Sequence, residues 1–360
     1  MFSRISKLFM VSIMLIVVCL VHQGEAGTWT QKADIPTARS NMGSAVVDGK
    51  IYVIGGVPAG GGFVAFAEEY DPAMDTWTKC ANMPTAREGV RAAAVDGIVY
   101  AIGGWRPAGG DTTIVEAYDP VTDTWTRKAS MLNRKTMAAV AVVDGIIYVI
   151  GGELGITPLS AVEAYDPTTN KWTRKADMPT ARLMADCCVL DGLIYVFGGA
   201  TGRTPAPEYN IWFSVPTVEV YDPATDTWTQ LSDMPRPRHG HTTSLVDGKI
   251  YLVGGIDSGV AELFFEGKIE QEEVGRLFMI VDVYDPDTDM WTTTADLPLS
   301  IDFHTAAVVN GKIYAIGGST GPEGTRLSDV YEFTPGLSSI PTSVSPGGKL
   351  LETWGRMKGQ

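Results

Sequence analysis

Short apolar runs recur along this chain, each opened by a tight-turn pair and closed by two glycines. Ile51–Ile54 follows Asp48-Gly49 and ends at Gly55-Gly56, and Leu193–Phe197 follows Asp191-Gly192 and ends at Gly198-Gly199. The same turn signal returns as Asp96-Gly97, Asp144-Gly145, Asp247-Gly248 and Asn310-Gly311, and the glycine pairs at 103–104, 151–152, 254–255 and 317–318. Runs this short, bounded by turn residues, read as β-strands. Asp-Gly suits a two-residue hairpin because both central positions take positive φ. A run of small apolar residues precedes each turn, Gly43 to Val47 in the first copy. After each glycine pair comes a segment such as Val218-Glu219-Val220-Tyr221, broken by Asp222-Pro223, and then Trp228-Thr229. Each copy therefore carries four strands, lettered A to D.

The tryptophans that mark strand D are Trp29, Trp77, Trp125, Trp172, Trp228 and Trp291, and a Pro or Leu follows each by seven residues (Pro36, Pro84, Leu132, Pro179, Pro235, Pro298). Six copies at a period of about 48, with four strands each, are the signature of propeller blades. The fold expected is all-β: a six-bladed β-propeller of four-stranded antiparallel blades. Trp29 has no strands A to C before it, and the last copy has strands A to C but no Trp at the usual distance. The N-terminal strand carrying Trp29 is thus expected to close the ring as strand D of the sixth blade, removing its open edges. Trp354 is the rival, but it stands 23 residues after Tyr331, against 7 between Tyr221 and Trp228. The repeated Tyr and Trp are expected to pack between blades, where one aromatic buries ~150–250 Å².

A di-glycine after an apolar strand, followed by a spaced Tyr and Trp, resembles the kelch repeat. The resemblance runs from about Trp29 to Pro335. It implies the propeller fold and, in members that recognise acidic peptides, carboxylate binding by arginines of the D-to-A loops. Arg39, Arg87, Arg134, Arg182 and Arg238 stand in those loops here, with blade-tying contacts to backbone carbonyls as the alternative role. Two enzyme types also resemble this architecture. One is the exported six-bladed kelch epimerase that mutarotates sialic acid, for which Arg87, Glu88, Glu153 and Arg182 offer acid–base groups. The other is galactose oxidase, whose copper site takes two His, two Tyr and a Tyr-linked Cys. Here no Tyr–Cys pairing is apparent.

Outside the repeats, Arg4 and Lys7 precede an apolar run from Leu8 to Val21, and Gly24-Glu25-Ala26 supplies small residues for cleavage. Residues 1–26 read as a signal peptide cut after Ala26, with export to the periplasm or extracellular space. The run is shorter than the ~20 residues of a spanning helix. Residues 27–335 form the propeller, and 336–360 a tail rich in Ser, Pro and Gly before Trp354, to which no role is assigned. The net charge of −14 argues against nucleic acid or an anionic membrane as partner, since both need a basic footprint. The acidic C-to-D turns read as a solvated rim. Cys80, Cys187 and Cys188 remain after cleavage. The last two are adjacent on a strand and point to opposite faces, so free, largely buried thiols are expected.

Function is expected on the face that carries the D-to-A and B-to-C loops, because the opposite turns are minimal and uniform. The B-to-C loops are longest in blades four (Ala200 to Thr217, with Arg203, Tyr209, Trp212 and Phe213) and five (Ile256 to Val281, with Phe264, Phe265, Phe278 and the acidic Glu270, Glu272 and Glu273). Long loops on a rigid scaffold commonly bind ligands. His239 and His241, with Asp302 and His304 at equivalent places in the next blade, form a candidate metal set, or ordinary strand-A sequence. The reading that results is a monomeric, non-catalytic exported module, without cofactor, binding a protein or glycan through the loop face of blades four to six.

Overall fold

The computed structural model describes residues 27–204, 211–259, 268, 278–320 and 324–336. The leader, Tyr209, Phe264, Phe265, the Glu270–Glu273 run and the tail from residue 337, with Trp354, lie outside the described residues.

Six four-stranded antiparallel sheets make up the propeller. Blade one holds Gly43–Val47, Lys50–Ile54, Ala67–Asp71 and Thr76–Lys79 in the order A-B-C-D, and the next four blades repeat it. The A-to-B hairpins are the tight turns the Asp-Gly pairs require, with φ of 51° at Asp48 and 75° at Gly49. Blade six holds Thr305–Val309, Lys312–Ile316 and Val330–Thr334, with Thr28–Gln31 as its outer strand and Trp29 opposite Phe333. The six A strands neighbour one another in a circle that passes from blade six back to blade one.

The apolar core is a set of slabs between blades. One slab packs Ala45, Tyr52 and Ile54 of blade one against Val90, Val99 and Tyr118 of blade two, and similar slabs recur around the ring. Adjacent Cys187 and Cys188 pack on different slabs, on either side of blade four, as the alternation of a strand demands. Neither they nor Cys80 form a disulfide. Tyr and Trp pair across strands C and D with ring centroids 4.8–5.1 Å apart, and Phe333 replaces the Tyr beside Trp29.

The C-to-D turns are more than a solvated rim. Asp123 accepts the Ala81 amide at 2.7 Å and the Tyr118 hydroxyl at 2.8 Å. Asp226 takes the Ala176 amide and the Tyr221 hydroxyl in the same way. The indole of Trp125 returns a bond to the carbonyl of Ala81 at 2.8 Å. One carboxylate thus binds its own blade to the end of the preceding one. Blade three does this with Asn170, which accepts from Ala129 and Tyr165.

These bonds hold the carboxyls of Asp226, through Tyr221 and Ala176, and of Asp123, through Ala81 and Tyr118, below their ordinary range. A carboxyl depressed in the folded state stabilises it above the unfolded pKa of ~3.9, and that contribution disappears as pH falls through the folded value. Asp226→Asn, which copies blade three, should keep both hydrogen bonds and lose at neutral pH only the part of the stability that depends on the charge. It should also make the loss of stability below pH ~4 shallower than in the parent, as read by urea unfolding across pH 2.5–7.

Candidate functional site

Where each D-to-A loop reaches the axis, one residue adopts the left-handed conformation: Asn41, Gly89, Met137, Met184, Gly240 and Phe303, with φ of 47–64°. Their amides form a closed backbone ring. Gly89 donates to Asn41, Met137 to Gly89, Met184 to Met137, Gly240 to Met184, Phe303 to Gly240 and Asn41 to Phe303, at 2.9–3.3 Å. A second circuit lies beside it. The second glycine of each pair donates to a carbonyl of the next blade, as Gly56 does to Arg87 and Gly152 to Arg182. A Cβ on Gly104 would stand 2.7 Å from the Glu88 carbonyl oxygen, at a φ of 102°. These glycines are required by the close approach of two backbones.

The residue just before each left-handed step pairs through its backbone with the residue just after the di-glycine. These pairs are Ser40 with Val57, Glu88 with Trp105, Thr136 with Glu153, Leu183 with Ala200, His239 with Ile256, and Asp302 with Ser319. Twelve side chains of mixed character therefore surround the mouth. Between blades two and three they leave a cavity of about 170 Å³ lined by Glu88, Trp105, Thr136, Met137, Glu153 and Gly155. Glu153 is 9% exposed and its Oε2 has no hydrogen-bond partner. Burial, followed by repulsion from Asp111, pushes its carboxyl up to about 7, against the pull of Arg203. Burial also raises Glu88, whose Oε2 accepts from the Asn41 amide at 3.1 Å. Large apolar side chains stand exposed on the B-to-C hairpins of blades two to four: Trp105, which lines this cavity, and Leu154, Ile156 and Phe213. Trp212 lies beneath Arg203, 5.1 Å from ring to guanidinium, and packs on Met137, Leu183 and Met184.

The histidines occupy two levels. His239 is at the mouth, its Nδ1 2.8 Å from the Ser214 hydroxyl. His241 lies one step deeper, against Gly198 and Gly255, with neither ring nitrogen partnered. The left-handed Gly240 separates the two, and strand A begins only at Thr242. The simple alternation that would place both on one side of a strand therefore does not hold. His304 meets the Thr242 hydroxyl at 2.8 Å. Burial lowers His239 to about 4 and His304 to about 3, and lowers His241 well below its ordinary value, so all three are neutral at pH 7. Asp302, buried beside the Ser319 hydroxyl, is pushed up to about 7. Among the described residues, no group of three or more His, Cys, Asp or Glu is placed to hold a metal ion.

With this geometry in view, a family model for the attractin/LZTR1 β-propeller matches residues 12–263, and kelch-motif models match 237–298 and 302–336. The chain belongs to the attractin/LZTR1-type kelch propellers. Among curated relatives, Beta-scruin of Limulus polyphemus is 32% identical over 114 residues, covering 32% of this chain and 12% of the relative. Kelch-like protein 35 of Mus musculus is 28% identical over 156 residues, covering 36% and 27%. The matched stretches thus span well under half of these relatives. A solved structure titled "Structure of YjhT" superposes with a TM-score of 0.65 at 17% identity, covering 82% of this chain and 95% of that one, which speaks for fold alone.

In this kelch propeller the D-to-A loop arginines turn away from the axis, into their own blades. Arg182 is fully buried, with bonds to Glu219 at 2.6 Å and to the carbonyls of Gly198 and Thr217 at 2.9 and 2.8 Å. Arg39 pairs with Glu68, Arg87 with Glu116 and Arg238 with Asp282 in the same manner. In blade three the place belongs to Lys135, paired with Glu163 at 3.1 Å, while Arg134, one residue early, is exposed. Arg39, Arg182 and Arg238 also bond the first carbonyl of their di-glycine, pinning that bend to strand C. Glu88 and Glu153 do come together at one cavity, whereas Arg87 and Arg182 are held elsewhere by their own carboxylates. Asp111 and the left-handed ring were not singled out by sequence, where Asn41 and Gly89 give a hint that Met137 and Phe303 conceal. Arg182→Ala would leave Glu219 buried without a counter-charge, at an expected cost of ~3–5 kcal/mol. Arg182→Lys, the solution blade three uses, should cost clearly less, with urea unfolding as the measurement.

Proposed function

We propose that this chain is a non-catalytic, exported binding module that engages a protein partner through the loop face of blades two to four. The carrying observation is the exposure of Trp105, Leu154, Ile156 and Phe213 on the hairpins of three successive blades, with Trp105 also lining an acidic cavity. Apolar anchors at the centre of a patch with polar groups beside them match the anatomy of protein interfaces. The longest loops, in blades four and five, supply Phe213 or lie outside the described residues. Catalysis on a sugar acid is the weaker reading, because such a substrate would bring its carboxylate to a cavity whose charged walls, Glu88 and Glu153, are both acidic. Export rests on the basic, apolar and small-residue segments of residues 1–26. The mature protein from the native host should begin at Gly27, and a retained Met1 would remove that part of the proposal.

A photo-crosslinking residue at Ile156 should capture a defined protein in the native host, and the same residue at Val121, exposed on the opposite turns, should not. The double change Leu154→Asp/Ile156→Asp should leave the melting temperature unchanged and weaken the captured complex at least ~10-fold, as expected for interface anchors. Capture from Val121 in preference to Ile156 would place the interface on the other face. Binding on a glycan array with no protein captured would make the ligand a carbohydrate.

A further inference from the structure

We propose that the cavity between blades two and three is a socket for the ammonium or guanidinium head of a lysine or arginine side chain on the protein partner. This rests on the protein-binding reading and specifies its chemistry. Glu153 is almost wholly buried, lines the cavity and has an Oε2 to which no group of the protein donates a hydrogen bond. A buried carboxylate oxygen without a donor is costly. Beneath the di-glycines such carboxylates are completed from within: Glu68, Glu116, Glu163, Glu219 and Asp282 each hold a buried Arg or Lys. Glu153 is the same chemistry with the cation left out.

The surroundings favour an organic cation from outside. Glu88 supplies a second carboxylate, and Trp105 an aromatic wall of the kind that attracts ammonium and guanidinium groups. At about 170 Å³ the space is several times the ~30 Å³ share of one water, which suits a side-chain head better than a bare ion. Arg203 acts on Glu153 from a distance and is itself stacked on Trp212. The net charge of −14 draws cationic partners to the surface over a longer range. The groups facing Glu153 are Asp111 and Glu88, which favour its protonated form, and Arg203, which opposes them. With its carboxyl near 7, docking a cation expels a proton, so affinity should fall about tenfold between pH 8 and pH 6.

The probes are the blocked tripeptides Gly-Lys-Gly and Gly-Arg-Gly, the Nε-acetylated lysine form and putrescine, each titrated into the full propeller and followed by saturation-transfer NMR and calorimetry. The basic peptides should bind and the acetylated one should not. Glu153→Gln should weaken binding at least ~10-fold with an unchanged melting temperature, as loss of a charge-assisted bond implies. Trp105→Ala, a change at an exposed side chain, should weaken it by a smaller factor. Equal binding of acetylated and free lysine, full binding by Glu153→Gln, or no binding of either basic peptide would overturn the assignment. Putrescine binding more tightly than the peptides would make this a small-amine site and overturn the docking role. If the peptides fail while crosslinking from Ile156 succeeds, the socket falls and the protein-binding reading stands. If the peptides bind but Ile156 captures nothing, the cavity is a cation site and its role in docking a protein partner falls.

Discussion

Six backbone hydrogen bonds joined head to tail around the axis are the constraint from which the rest of this propeller follows. Each requires a residue in the left-handed conformation at the tip of a D-to-A loop, a sterically costly state for Met and Phe. The cost is sustained because each of these amides serves its neighbour and none is left unbonded where water is scarce. The ring fixes where strand A enters the channel wall, and the neighbouring glycine circuit fixes where strand B leaves it. Between them the two circuits determine the direction of every side chain at the mouth.

Much of the architecture could be read from the chain because its signals are local and repeated. Asp48-Gly49 declares a hairpin by the conformations its two residues prefer, and Gly55-Gly56 declares an approach that no Cβ permits. Six copies of each left little freedom for the fold. The site was less legible, because its geometry arises between blades. The spacing from Trp125 places Lys135, not Arg134, at the basic position, and only the bond to Glu163 shows why the substitution is tolerated. His239 and His241 look like alternating strand residues until the left-handed Gly240 is seen to divide them. Glu88 and Glu153 stand 65 positions apart and meet only because one precedes a left-handed step while the other follows a di-glycine in the next blade.

The charged groups of the interior fall into two kinds, and hydrogen bonding tells them apart. Those beneath the di-glycines have their carboxylates filled from within: Arg182 and Thr180 take the two oxygens of Glu219, while Arg182 also reaches two carbonyls, which makes the bend rigid. Those at the mouth are open. Glu153 keeps an acceptor free, Asp302 keeps one oxygen unpartnered, and both carboxyls stand near neutrality. Burial alone does not distinguish structural from functional charge here. Completeness of the bonding at the carboxylate does.

The twelve side chains at the mouth are attached to positions whose backbones already bond each other, so the two circuits do not depend on their identities, although Leu183 and Ala200 also fill a buried apolar cluster. Val57, Trp105, Glu153, Ala200, Ile256 and Ser319 occupy one geometrical place and share almost no chemistry. Such a rim can diversify residue by residue, much as antibody loops do upon their framework, without renegotiating the sheets beneath. A lineage built on this scaffold could change what it recognises quickly while its fold stays nearly still.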